Sequence, residues 1–175
     1  PDTSPFAKPI TILVTGLSGS GKTSVAMELE RRLFDGGLSA IVLDGQTMRL
    51  GISRDLGFSA EERSENLRRA AEIAKLINDS GKLCIAAFVA PNDWVRQRAR
   101  KLIGRDRFLH VHLSTPVDVC RRRDTTGQYL AADNEEITNF PGVSFEYESP
   151  IHADLTIDTS QVSIEDAVQE ILRKL

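Results

Sequence analysis

Five short apolar runs rich in β-branched residues, separated by stretches of helical periodicity, set the fold class of this chain. They read ITILVT (10–15), SAIVLD (39–44), LCIAAFVA (83–90), FLHVHLS (108–114) and ADLTID (153–158). A strand that is apolar at consecutive positions has to be covered on both faces, which is the condition of a parallel sheet crossed by helices. The intervening segments supply those helices. Val25, Leu29 and Leu33 share one face, as do Leu67, Ala70, Ala74 and Ile77 in the next. Val95, Ala99, Leu102 and Ile103 form a third inward stripe, and Ile164, Val168, Ile171 and Leu175 a fourth. Ser59 with Glu62 three residues on predicts a capping box, Pro91–Asn92 opens the following helix, Thr115–Pro116 supplies a cap and a first-turn proline, and Ser163 caps the last helix. The fold class is therefore α/β, a doubly wound parallel five-stranded sheet with helices on both faces. Residues 125–150 have no period and several turn residues, and are expected to form a long mobile lid loop. The Pro-rich opening, residues 1–9, reads as an arm or linker, and 10–175 as one domain.

Composition narrows the function. A net charge of −3 argues against a general nucleic-acid or membrane surface, so any basic site must be local. Cys84 and Cys120 lie in an apolar run and a helical pattern, which suits reduced core or pocket-lining thiols. No stretch has the length of a membrane span and no signal peptide is visible, so the cytoplasm is the expected location.

Between the first strand and the first helix stands GLSGSGKTS, residues 16–24. Gly16, Gly21, Lys22 and Thr23 match the phosphate-binding pattern G-x-x-x-x-G-K-[ST], in the strand–helix context that the pattern requires. Gly16, Leu17, Ser18, Gly19, Ser20, Gly21, Lys22, Thr23 and Ser24 would wrap backbone N–H groups around a triphosphate at the helix N-terminus. Lys22 would reach the β- and γ-phosphates, and the Thr23 hydroxyl would hold Mg²⁺. A flexible turn is the plainer reading. A dinucleotide fingerprint, with Asp44 on a ribose, is the nearer rival, but it needs a glycine where Ser24 stands and leaves Lys22 without a role. The fold is then of the P-loop NTPase type.

The third strand ends AAFVAP without a carboxylate, and no N-K-x-D motif reads guanine. The carboxylate follows the second strand instead, in LDGQTMR, facing an acceptor's position. Arg121, Arg122 and Arg123 precede the loop, placed to clamp a transferring phosphoryl group as the lid closes and excludes water. This layout suggests a small-molecule kinase.

GLSGSGKT, LDGQTMRLGI, LGFSAEERSENLRR, FVAP, GQYLAAD and NFPGVSFEYESP, taken in order, resemble the successive motifs of adenylylsulfate kinases, from about residue 10 to the last helix. The resemblance implies transfer of the ATP γ-phosphoryl group to the 3′-hydroxyl of adenosine 5′-phosphosulfate (APS), giving PAPS. It also implies dimers and fusion to an ATP sulfurylase. By matching position, Lys22 and Asp44 are the catalytic pair, and Thr23 and Asp44 the metal-facing groups. The loop with Arg123 binds ATP, while Asp44, Arg49, Phe58, Arg63, Asn66 and Phe140 bind APS, the two exposed phenylalanines sandwiching its adenine. Four of these have a plainer alternative: Phe58 as a hydrophobic staple beside Ser59, Arg63 and Asn66 as a solvated helix face, and Asp44 as a cap for the next turn.

The chain departs from the family pattern at several positions. Gln46 stands where a second carboxylate is usual, Ala90 where many members carry serine, and Leu130–Ala131 where the lid usually has lysines. Thr138 and Pro141 also differ from the common pattern. Two further readings therefore stand beside the kinase: a nucleotide-binding regulatory domain that senses APS or PAPS, and a kinase for another nucleotide-like acceptor.

Overall fold

The computed structural model describes residues 8–175; the greater part of the expected N-terminal arm, residues 1–7, lies outside the described residues. Five strands are present: β1 (Thr11–Gly16), β2 (Ala40–Asp44), β3 (Leu83–Phe88), β4 (Phe108–Leu113) and β5 (Leu155–Ile157). All pair in parallel, in the order β2-β3-β1-β4-β5, so β1 is central and carries the GLSGSGKTS loop at its carboxyl end. The helices are α1 (Lys22–Asp35), α2 (Gly45–Leu50), α3 (Ala60–Asp79), α4 (Asp93–Ile103), α5 (Val117–Arg123), α6 (Gln128–Asp133) and α7 (Ile164–Leu172).

The alternation of strand side chains divides the core in two. On one face Ile12, Val14, Ile85 and Val111 pack against Val25 and Leu29 of α1 and against Val168 and Ile171 of α7. On the other, Leu13, Cys84 and Phe88 meet Leu67 and Ala74 of α3 and Val95 of α4. The inward stripes read from the sequence are the buried ones, with Leu102, Ile164 and Leu175 only partly covered. Cys84 is buried and free, and burial pushes its thiol up to about 12. Among the described residues no helix is long and apolar enough to cross a membrane.

Local signals were met unevenly. The Ser59–Glu62 capping box forms in both directions, and Ser163 accepts from the Asp166 N–H. Thr115 does not cap α5; its hydroxyl is 2.7 Å from that of Thr159, a buried partner that outbids the helix end. Asn92 makes no side-chain cap for α4 either; its amide donates to the Glu148 carboxylate at 3.2 Å, and that carboxylate also accepts from the Asp93 N–H at 2.8 Å. The expected lid loop is also corrected. It contains α6, and Tyr129, Ala132 and Phe140 pack with Cys120 as a third apolar cluster. Six helical residues are too few to reveal a period, so tertiary packing alone defines this element.

Ser59→Ala is expected to cost about 1 kcal/mol in a denaturant titration, since the Glu62 N–H in the first turn of α3 loses its acceptor while the residue-59 N–H keeps the Glu62 carboxylate.

Candidate active site

The site grows from the carboxyl ends of β1, β2 and β3. At the first, Gly19 and Gly21 adopt φ of 84° and 98°, left-handed values that glycine reaches without strain, and the loop turns back on itself there. Ser20 N–H closes the turn on the Leu17 carbonyl at 3.1 Å, and α1 starts directly at Lys22. The Lys22 ammonium donates to the same carbonyl at 2.7 Å. Burial pushes its pKa down to about 8, against smaller opposing effects of Cys120 and Asp44. Loss of water without gain of an anion leaves a cation waiting for a partner.

At the end of β2, Asp44 is the helix cap of the plainer reading and also faces the phosphate loop. One carboxylate oxygen caps α2, accepting from the N–H groups of Gln46 (2.8 Å) and Thr47 (3.4 Å). The other accepts from the Thr23 hydroxyl at 3.0 Å. The cap fixes the carboxylate's direction, and the free edge therefore faces the loop. Gln46 itself is exposed.

These groups open into one cavity of about 650 Å³, within the range of small-molecule sites. Arg49, Phe58, Arg63, Asn66 and Phe140 all line it, so the structure brings together the residues that the sequence scattered over 92 positions between Arg49 and Phe140. Asn66 is 1% exposed; its amide donates to the Gly45 carbonyl at 3.2 Å while its oxygen is buried without a partner. A solvated helix face is excluded for Asn66. Arg63 donates to the Asn139 carbonyl and lies over the Phe145 ring, but its second terminal nitrogen is buried and unpaired. Arg49 donates to the Gly45 and Gly57 carbonyls and stacks over Phe58 at 4.4 Å. Burial lowers the pKa of both guanidinium groups, and the nearby Arg49 charge lowers that of Arg63 further. Neither has a carboxylate ion-pair partner among the described residues, so the wall presents unneutralised positive charge.

Phe58 is 59% exposed, and the position that would complete a staple is Arg63, so the ring has no apolar helix partner to serve. Phe140, expected to be exposed, is 7% exposed; it meets Tyr129 edge-on at 5.0 Å and shows only one side to the cavity. The three arginines after α5's apolar residues separate. Arg121 pairs with Asp133 and Arg122 with Asp118. Arg123 instead binds the Gly19 carbonyl and Thr159, behind the loop.

The adenylylsulphate kinase family model matches residues 8–158. The chain belongs to that family. It is 48% identical to the adenylyl-sulfate kinase of Shewanella pealeana, over 94% of this chain and 80% of that protein. It is 57% identical to the bifunctional enzyme CysN/CysC of Rhodopirellula baltica over 95% of this chain, spanning 26% of that protein's length. The structure of the Mycobacterium tuberculosis APS kinase CysC in complex with AMPPNP and APS superposes with a TM-score of 0.91 at 42% identity, covering 96% of this chain and 98% of that one.

One support of this adenylylsulphate kinase site had no sequence signal. Ala90, on the cavity wall, has φ of 44°, a left-handed conformation that costs an alanine about 1 kcal/mol or more. Arg96, 1% exposed, holds it: one guanidinium nitrogen donates to the Ala90 carbonyl at 2.8 Å and another to the Glu148 carbonyl at 2.7 Å. The 145–148 segment is thereby tied to the β3–α4 corner. An arginine in an amphipathic helix reads as a surface charge, and only the arrival of residue 148, 52 positions later, changes that.

Arg96→Met is expected to lower stability by about 2 kcal/mol or more, because the buried Ala90 carbonyl and the partly buried Glu148 carbonyl lose their donor, and Lys at this position is not expected to restore both bonds. Lys22 yields a second expectation. An anion restores its charge, so nucleotide binding should take up a proton near pH 8, and the affinity should fall about fivefold between pH 8 and pH 9. Calorimetry in buffers of different ionisation enthalpy measures both.

Proposed function

We propose that this chain is an ATP-dependent adenylylsulfate kinase, which transfers the γ-phosphoryl group of ATP to the 3′-hydroxyl of APS and releases PAPS and ADP. The observation that carries this reading is the single cavity that joins a phosphate loop to an acceptor wall whose Arg63 nitrogen and Asn66 oxygen are buried and unpaired. A buried donor and a buried acceptor without partners cost stability unless a ligand completes them. APS offers what the wall lacks: an anionic phosphosulfate for Arg49 and Arg63, polar ribose or base edges for Asn66, and a flat base for Phe58 and Phe140.

In this mechanism the loop residues 16–24 bind the triphosphate through backbone N–H groups, and Lys22 neutralises the β- and γ-phosphates. Arg123 supports ATP binding from behind the loop. Thr23 and Asp44 provide one hydroxyl and one carboxylate edge side by side, and no group of three or more acidic, His or Cys side chains that could hold a metal occurs among the described residues. That pair suits a Mg²⁺ ion that arrives with the nucleotide and keeps most of its ligands as phosphate and water. The ion, when bound, neutralises charge on the transferring phosphates. Asp44 also accepts a hydrogen bond from the acceptor hydroxyl and aims its oxygen at the γ-phosphorus. The new O–P bond forms as the bond to the β–γ bridging oxygen breaks; ADP carries that oxygen away, and the hydroxyl proton leaves by way of the Asp44 carboxylate to solvent. Because the transition state is loose, positioning and charge matter more than a strong base, so Gln46 in place of a second carboxylate is compatible with turnover.

A cytoplasmic location fits a consumer of ATP with two free buried thiols. Residues 10–175 constitute the kinase domain in this reading. Self-association into a homodimer and a fused or associated ATP sulfurylase also belong to the reading; for the fusion, the match to one part of a bifunctional enzyme is support.

The test is a coupled assay for ADP release with ATP, Mg²⁺ and APS, with PAPS identified by mass. APS-dependent ADP matched by PAPS, abolished by Lys22→Ala, is the expected result. Phe58→Ala should raise the KM for APS by about 10-fold or more through lost stacking while leaving ATP binding unchanged. Saturable APS binding without PAPS would replace the kinase with a sensor of the same ligand.

A further inference from the structure

Four successive carbonyls of the phosphate loop each receive a side-chain donor. Lys22 reaches Leu17 at 2.7 Å, the Tyr129 hydroxyl reaches Ser18 at 2.5 Å, Arg123 reaches Gly19 at 3.4 Å, and the Thr159 hydroxyl reaches Ser20 at 2.7 Å. Except for Lys22, the donors lie more than 100 residues away in the chain: Tyr129 on α6, Arg123 at the end of α5 and Thr159 beyond β5.

The geometry has a direct consequence for anion binding. In a trans peptide the carbonyl and the following N–H point in opposite directions. A donor that pulls the Ser18 carbonyl away from the cradle therefore turns the Gly19 N–H into it, and the Ser20 carbonyl sets the Gly21 N–H in the same way. Neither of those two N–H groups has an acceptor among the described residues, whereas Ser20 N–H is spent on Leu17. Left alone, a loop with glycines at 16, 19 and 21 would sample many other arrangements.

The protons around Thr159 can be assigned by satisfiability. The Ser20 carbonyl has no hydrogen to give, so the single Thr159 hydroxyl proton goes there. Thr159 Oγ1 then accepts from Arg123 at 2.9 Å and from the Thr115 hydroxyl at 2.7 Å. Thr115 Oγ1 in turn accepts from the Thr159 N–H at 3.1 Å. Each hydroxyl gives its one hydrogen to an identified oxygen, and Ser20, Thr115 and Thr159 are buried, so exchange with water does not weaken the bonds among them. Tyr129 is held as firmly. Its ring packs edge-on against Phe140, and burial raises its pKa, which keeps the phenol a donor.

We propose that Tyr129 and Thr159, assisted by Arg123, are positioning residues that hold the loop's carbonyls outward and so form the phosphate cradle before ATP arrives. Tyr129 has a further role. It touches the loop with its hydroxyl and the acceptor wall with its ring, and so ties the two substrate sites through one rigid side chain. The inference rests on the ATP-binding part of the proposed function.

Tyr129→Phe and Thr159→Val remove the two donors while keeping most of the side-chain volume. Each is expected to weaken the Kd for a non-hydrolysable ATP analogue with Mg²⁺ by about 3–10-fold, with KM for ATP rising more than kcat falls. Thr159→Ser, which keeps the hydroxyl, should restore wild-type affinity. A purely structural role predicts a lower melting temperature with Kd unchanged well below it. Should Thr159→Val fail to fold, Tyr129→Phe alone decides. Binding within twofold of wild type in the folded variants overturns the proposal. Analogue binding by the wild type without PAPS formation would overturn the kinase reading while leaving the cradle proposal to the same comparison. A wild type that binds no nucleotide overturns both.

Discussion

A parallel sheet covered on both faces leaves one place for a site: the rim where its strands end. β1 sits between β3 and β4, and every connection carries the chain back to the same end of the sheet before the next strand, so all the carboxyl ends face one way. The ends of β1, β2 and β3 deliver the phosphate loop, Asp44 and the Val89–Ala90 corner to that rim within a few residues of the last ladder contact. The buried apolar faces make this arrangement rigid. A shift of one residue in the β1 register would exchange Leu13 for its neighbours Ile12 and Val14, which serve the other core, and would misplace the loop with them.

On this frame the site is built from charge imbalance. Lys22, Arg49 and Arg63 converge on a cavity with few acids, and all three have depressed pKa values because burial removes more hydration than the nearby Asp44 and Glu62 carboxylates restore. Asp44 is the exception, and its first oxygen is already engaged in capping α2. The protein thus carries the electrostatic cost in the free state, and anionic substrates relieve it. The same logic governs the support behind the site, where Arg96 is buried to secure the backbone on which Ala90 and Glu148 depend.

Much of this was legible in the sequence where a local rule dominated. The strand–loop–helix setting of Lys22, the inward stripes of α1 and α3, and the Ser59–Glu62 box depend on neighbours within a few positions, so the pattern and the structure agree. Legibility failed where a distant residue competed. Thr115 had the right spacing to cap α5, but Thr159 offered a better buried partner. Phe140 looked like a surface aromatic in a loop, yet Tyr129 covers it. α2 and α6 have six residues each, too short for periodicity to register, and they exist because Asp44 caps one and the Tyr129–Phe140 contact packs the other.

The sequence by itself determined the fold class and the phosphate-loop pattern, because hydrophobic period and motif spacing are properties of contiguous chain; that Arg49, Phe58, Arg63, Asn66 and Phe140 line one cavity is a fact of the tertiary structure. Tertiary structure alone decided which arginines are free and which are spent. Arg121 and Arg122 are paired at the surface, Arg96 is buried as a tether, and Arg49 and Arg63 remain without carboxylate partners at the cavity. All five have the same guanidinium group, and what separates them is the partner that the fold supplies: a carboxylate for Arg121 and Arg122, two carbonyls of the β3–α4 corner and the 145–148 segment for Arg96, and for Arg49 and Arg63 only carbonyls, which leave the charge unneutralised.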